Sequence, residues 1–523
     1  MVFWTSHEIP KEKVQAPPAP ALLVPGLCGS VLHVRQKGEE GEGVRRWIVT
    51  DHADSAYHTL WGKYNPDDRS ILSLRGDEVV IPTGGLQDGG LYACDLLDPS
   101  FNLMPPAALR YYHTLIEEMK QWGYTPGGTL HGFAYDFRQS NLIHLHGLIE
   151  KLQAVSAANG GAKVDVITHS MGGIVFKLFL AKFPKEFAKL VRSWVAVAAP
   201  FNGAPGFAAD ACLTGVQFVP GWASYFFVQR ETMRQMVCQA PSVFELLPSP
   251  GFAWGDGVPE PAVTLWLEKQ QHEQERGVSE TSVEGNEDKR APKRVAVYSD
   301  SAALPAGAVL GPDPPVEALT KHWRIGGSGL RPLLKACLEG NSVVVDGRAA
   351  ALPFREEIMD HSDETRHLLS TAKLPSGCAM LNIYGVGLDT PFGITYGSKE
   401  APLSSISSLA NGSTNAVFSM LDGDGTVPAS SAATDGLAAR QRVGLPGDHR
   451  QLLELPATFE LIKSFLKDVA EPQIPHTAAP CNDTTAAPGP LEKASRHFYA
   501  SYKYWQYCSE RDELTEDEGW LLV

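Results

Sequence analysis

The chain has 523 residues, with 45 Lys and Arg against 60 Asp and Glu, for a formal net charge of −15. It has no Lys/Arg block, so it lacks the clustered positive charge that nucleic acid or stable docking on anionic lipid requires, and nucleic acid is excluded as a main partner. Its 43% hydrophobic content excludes wholesale disorder, and no apolar run reaches the roughly 18 residues of a spanning helix.

Residues 1–20 read as an N-terminal extension. They lack a continuous apolar core of about 7 to 15 residues and a clear cleavage site, which predicts an unprocessed start and a cytoplasmic protein, peripheral to membranes. Ala21–Val24 is a short apolar run before the Gly-rich turn Pro25-Gly-Leu-Cys-Gly29, hence a buried strand and a tight loop. Pro106–Gly123 carries apolar residues at helical spacing, Tyr112, Leu115, Met119 and Trp122 among them. Leu130–Tyr135 is expected as a strand, Leu142–Val155 as an amphipathic helix, Val164–Thr168 as a strand and Ile174–Phe183 as a helix. Val191–Ala199, Met380–Tyr384 and Val443–Leu445 supply further strands, and Gln451–Lys467 a last helix. Strands alternating with helices predict an α/β fold with a mostly parallel sheet covered on both faces.

Three stretches break the alternation. Residues 268–294 are dense in charge, Gln, Ser and Gly and read as a solvated, disordered insert. Ala302–Pro315 is rich in Ala, Pro and Gly. Beyond the core, residues 469–523 form a Pro/Ala/Thr linker and an aromatic, then acidic, tail. The eight cysteines are widely spaced without a CxxC pair, which argues against a zinc ribbon or a disulfide scaffold.

Thr168-His-Ser-Met-Gly-Gly173 stands between a predicted strand and a predicted helix. That is the context of a nucleophile elbow, with Thr168 in place of the first glycine of G-x-S-x-G. Ser170 is therefore the candidate nucleophile. A serine hydroxyl needs a base, and the base an orienting acid, in the chain order Ser, Asp/Glu, His. Leu421-Asp-Gly-Asp-Gly-Thr-Val-Pro428 offers Asp424 as the acid, flanked by glycines, with Asp422 as its competitor. A calcium loop starting at Asp422 fails, because its twelfth position is Ala433 and not Glu. His449, on the loop Gly444-Leu-Pro-Gly-Asp-His-Arg450, is the candidate base; His169 is expected to pack around the elbow. Oxyanion donors are expected from the backbone N–H groups of Met171, after the nucleophile, and of Leu27 in the first Gly-rich loop. Cys28 beside it reads as a small buried hydrophobe. Asp136 and Arg138 are expected to pair and brace the site or to contact substrate. No metal-ligand cluster is visible, and no cofactor is expected.

In their order along roughly residues 20–468, these motifs resemble the lecithin:cholesterol acyltransferase family. The likeness is greatest to its plant and algal phospholipase A branch, the lecithin:cholesterol acyltransferase-like 4 type. Val24–Ser30 looks like the family's oxyanion loop, Gly132–Ser140 like its "YDWR" segment and His169–Gly173 like its elbow. Ala199–Pro205 looks like the segment leading into its lid, and Asp422–Pro428 and Gly447–Arg450 like its acid and base loops. The resemblance implies an α/β-hydrolase core over residues 21–468, with a membrane-meeting cap at about 35–100 and a lid at about 203–250. It carries over Ser170, Asp424 and His449 as the triad and Leu27 and Met171 as oxyanion donors. It implies a phospholipase A or O-acyltransferase acting on phospholipid at a transient membrane or lipid-droplet surface. Trp222, Tyr225, Phe226 and Phe227 are the candidate lid and lipid contacts. Trp61 and Tyr64 are read as aromatics on the membrane-facing side of the cap.

Overall fold

The apolar runs of the sequence become the strands of one sheet. β1 (Ala21–Val24), β8 (Val164–His169) and β9 (Val191–Val197) are buried almost end to end, as parallel strands covered on both faces must be. With β7 (Leu130–Gly132), β14 (Ala379–Val386) and β17 (Gln441–Pro446) they form a six-stranded sheet in the order β17-β14-β9-β8-β1-β7. Every pairing in it is parallel. The coordinates are a computed structural model that describes residues 18–49, 52–101, 103, 106–215, 228–268, 318–411 and 414–470. The charged insert beyond Glu268, the Ala/Pro/Gly-rich stretch and the tail lie outside the described residues.

The helix Met171–Lys182 follows β8 and is buried at every position from Met171 to Leu180. A helix buried all round needs cover on all sides, and its one buried cation, Lys177, donates to Asp435 O at 2.8 Å. It packs on the sheet beneath and on the helix Glu356–Ser370 above. Phe176 sits in an aromatic cluster with Phe179, Phe187 and Trp194.

A second sheet was not foreseen. β10 (Ala262–Glu268), β11 (Ala318–Arg324), β15 (Leu388–Tyr396) and β16 (Ala416–Gly423) pair in the order β11-β10-β15-β16. β15 and β16 run antiparallel, with a bulge between Pro391 and Gly393. Smaller sheets take up the other strands among the described residues. β2 (Leu32–Arg35), β3 (Val44–Trp47) and β6 (Glu78–Val80) form one, β4 (Gly62–Tyr64) and β5 (Ile71–Ser73) another, and β12 (Ser342–Val345) and β13 (Arg348–Ala351) a third. The thiols of Cys28, Cys94, Cys212, Cys238, Cys337 and Cys378 are free.

Two expectations are corrected. The helix expected over Pro106–Gly123 starts only at His113 and ends at Gln121. Before it, the N–H groups of Tyr111 and Tyr112 donate to Asp95 O (3.0 Å) and Cys94 O (3.2 Å), and Leu109 O accepts from Leu97 N–H (2.8 Å). These long-range bonds replace the helical ladder. Trp61 and Tyr64 do not face a membrane, being 7% and 1% exposed. The Trp61 indole N–H donates to Thr232 O (3.0 Å) and the Tyr64 N–H to Gln239 Oε1 (3.2 Å), so their polar atoms find partners inside the chain.

Candidate active site

β8 ends at His169, and the next helix begins at Met171. Ser170 alone makes the turn, at φ 54° and ψ −129°, a conformation that strains any residue bearing a Cβ. Its N–H donates to Val197 O and its carbonyl accepts from Gly173 N–H, both at 2.9 Å. The sharp turn lifts the hydroxyl above the C-terminal edge of the sheet.

That edge is also where the strand order reverses. β7 lies on one side of β1, while β8 and all later strands of the sheet lie on the other. The crevice at such a switch point is where open α/β sheets bind ligands. The loop after β1 therefore abuts the elbow. A Cβ built on Gly26 falls 2.6 Å from Ser170 Cβ, closer than real contacts allow, and a tight 3.0 Å from His169 O. Gly26→Ala is expected to displace the elbow and lower kcat by about 100-fold, with a thermal melt checking that the variant is folded. Wild-type turnover would mean that the loop yields instead. Leu27, next along, is half-buried. Met171 is buried and heads the helix, where first-turn N–H groups have no intrahelical acceptor. Burial pushes the Cys28 thiol above its usual range, which suits a packed side chain rather than a nucleophile.

The loop after β17 brings His449 over Ser170. His449 Nε2 lies 2.9 Å from Ser170 Oγ, and its Nδ1 lies 2.8 Å from Asp424 Oδ2. His449 N–H also donates to Asp424 O at 2.9 Å. Asp424 is 1% exposed, and its Oδ1 accepts the N–H groups of Thr426 (2.9 Å) and Val427 (2.7 Å). The adjoining Gly425 N–H is held by Thr390 Oγ1 at 2.9 Å. Asp424 sits at the C-terminal end of β14, bridged to Leu388, although the chain reaches it only after traversing β15 and β16. Asp422 is exposed and accepts Gly387 N–H at 2.6 Å, away from His449.

His169 is buried, its Nδ1 2.6 Å from Tyr111 Oη and its Nε2 2.9 Å from the carbonyl of His449. Tyr111, which the sequence pattern does not single out, thus lies against the residue before Ser170. The buried Arg138 and the half-buried Asp136 form an ion pair at 2.7 Å, and Arg138 donates further to Leu60 O. Burial alone would raise the Asp136 carboxyl, but Arg138 holds it below its ordinary value. Trp222, Tyr225, Phe226 and Phe227 lie outside the described residues. Of the stretch around them, Pro205–Thr214 is a helix buried at every position. Among the described residues no group of three or more His, Cys, Asp or Glu is arranged to hold a metal, and no helix is long and apolar enough to cross a membrane.

The strand order, the strained serine turn and the loops gathered at the switch point define an α/β-hydrolase fold. Residues 78–292 match the pattern described as lecithin:cholesterol acyltransferase. Over 453 residues the chain is 37% identical to phospholipase A(1) LCAT3 of Arabidopsis thaliana, covering 86% of this chain and 90% of that one. It is 35% identical over 483 residues to lecithin-cholesterol acyltransferase-like 4 of the same plant, covering 91% and 80%. A shorter match, 27% over 207 residues, covers 35% of the chain and 47% of the human lysosomal phospholipase A and acyltransferase. The chain belongs to the lecithin:cholesterol acyltransferase family of enzymes.

Proposed function

We propose that the protein is a serine lipid acyl hydrolase of phospholipase A type, with Ser170, His449 and Asp424 as its triad. Ser170 Oγ attacks the acyl carbonyl of a glycerophospholipid while His449 Nε2 takes its proton. Asp424 holds Nδ1–H and stabilises the imidazolium that forms. The Leu27 and Met171 amides receive the oxyanion. His449 returns the proton to the departing lysophospholipid oxygen, leaving an acyl-Ser170 ester. Water, deprotonated by the same His449, then releases the fatty acid. The observation that carries this reading is the continuous Ser170–His449–Asp424 hydrogen-bond chain in a member of this family.

A second reading differs only in the last step: a lipid alcohol such as diacylglycerol or a sterol replaces water. It is favoured by relatives whose names include acyltransferase. In both readings the substrate lies in a lipid surface that the protein meets to reach the acyl ester. Purified protein with acyl-labelled phosphatidylcholine vesicles, with and without diacylglycerol or sterol, separates them. Free fatty acid as the main product in both mixtures is expected. New ester as the main product assigns the transferase, and release of neither overturns the proposal.

A further inference from the structure

A buried hydrogen-bond chain joins the loop after β1 to the loop after β17, and the reaction written above does not use it. Gly26 N–H donates to Tyr111 Oη at 2.8 Å. Tyr111 Oη lies 2.6 Å from His169 Nδ1, and His169 Nε2 lies 2.9 Å from the main-chain carbonyl of His449. With His169 neutral, one proton arrangement satisfies all three contacts. A carbonyl only accepts, so His169 carries its proton on Nε2 and donates it to His449 O. The neutral ring then offers Nδ1 as an acceptor, and Tyr111, already accepting from Gly26, donates to it. Burial keeps both groups in the required state: it lowers His169 well below the usual imidazole range and raises the Tyr111 hydroxyl.

The packing leaves these groups little freedom. A Cβ on Gly29 would fall 2.4 Å from Tyr111 Cζ, so the tyrosine ring is seated directly on the loop. The Tyr111 ring stands edge-on to His169 at 5.4 Å between centroids, and the His169 and His449 rings are 4.8 Å apart.

We propose that Tyr111 is a positioning residue for the reaction at Ser170. Through Gly26 it holds the loop that carries the Leu27 amide, and through His169 it holds the backbone of His449. The oxyanion donor and the base thus keep a fixed spacing about the nucleophile. The proposal rests on the triad reading, and misplacement of reacting groups by about 1 Å is enough to cost on the order of 100-fold.

The test uses the full chain, a short soluble p-nitrophenyl ester, and thermal melts to confirm folding. Tyr111→Phe keeps the ring and removes the hydroxyl. Its kcat is expected to fall about 10- to 100-fold with little change in KM. His169→Phe should lose a similar factor. His169→Gln should recover most of that loss, because an amide presents an acceptor and a donor at a similar spacing and cannot titrate. The Tyr111→Phe/His169→Phe double variant should be no slower than the slower single, since both break one unit. Wild-type kcat in Tyr111→Phe, a His169→Gln as slow as His169→Phe, or multiplied losses in the double variant each overturn the proposal. A fluorophosphonate probe keeps the two readings apart. A wild type unlabelled at Ser170 overturns the triad and this proposal with it. A labelled wild type beside an unimpaired Tyr111→Phe overturns the positioning role alone.

Discussion

Ser170→Ala is expected to lower kcat by at least about 10³-fold and to leave the melting temperature unchanged. Alanine keeps the Cβ that already occupies the turn at φ 54°, so the elbow gains no new strain. The hydroxyl oxygen 2.9 Å from His449 Nε2 is what disappears. Any residual rate comes from water attacking substrate held against the oxyanion amides. Hydrolysis of a soluble ester, followed beside a thermal melt, reads both quantities. A folded Ser170→Ala protein turning over at the wild-type rate removes the mechanism.

Asp424→Asn is expected to cost about 10⁴-fold in kcat, while Asp422→Asn costs little. The two Asp424 oxygens do different work. Oδ1 accepts two amide protons, from Thr426 and Val427, so in the asparagine the remaining oxygen must stay there. The new NH₂ then takes the place of Oδ2 and faces His449 Nδ1, 2.8 Å away. Two donors cannot share that contact, so the ring moves its proton to Nε2 and points a donor at Ser170 Oγ. The base is then lost with every atom near its original place. At Asp422, asparagine still offers an oxygen to Gly387 N–H. Steady-state rates of the two variants settle the ranking, and a reversed order moves the acid to Asp422.

The candidate site residues that were legible in the sequence lie close to their signals. The elbow is a local pattern, an apolar strand, a turn of small residues and an apolar helix, and the fold places Ser170 there. Asp424 and His449, 2.8 Å apart at Oδ2 and Nδ1, could be singled out as candidates because glycines mark their loops and chain order limits the choice. Tyr111 left no such mark. It stands among apolar residues at helical spacing, and its hydrogen-bond partners Gly26 and His169 are 85 and 58 residues away. Trp61 was misread for the same reason, since its partner Thr232 lies 171 residues along the chain. The second sheet was missed although β10 alternates, with Val263, Leu265 and Leu267 buried. Its neighbours come from distant parts of the chain, and β15 contains Pro391 and Gly393, which speak against a strand when read locally.

The detour from β14 to Asp424 has a practical side. Pairing runs from Leu388 opposite Gly423 to Tyr396 opposite Ala416, and the Leu388 bridge to Asp424 closes the near end. The carboxylate is therefore set by the near end of the ladder and is insensitive to how much chain lies beyond the far one. Beyond Tyr396 the chain passes through a turn closed by Ser398 N–H on Ala401 O (3.0 Å), with Lys399 and Glu400 exposed at its tip. Lengthening such a turn is thermodynamically mild, about 0.6 kcal/mol for each doubling. The junction between Lys399 and Glu400 is thus a natural graft point for an epitope or a fluorescent label, allowing the protein to be tethered or imaged with the Asp424 loop untouched.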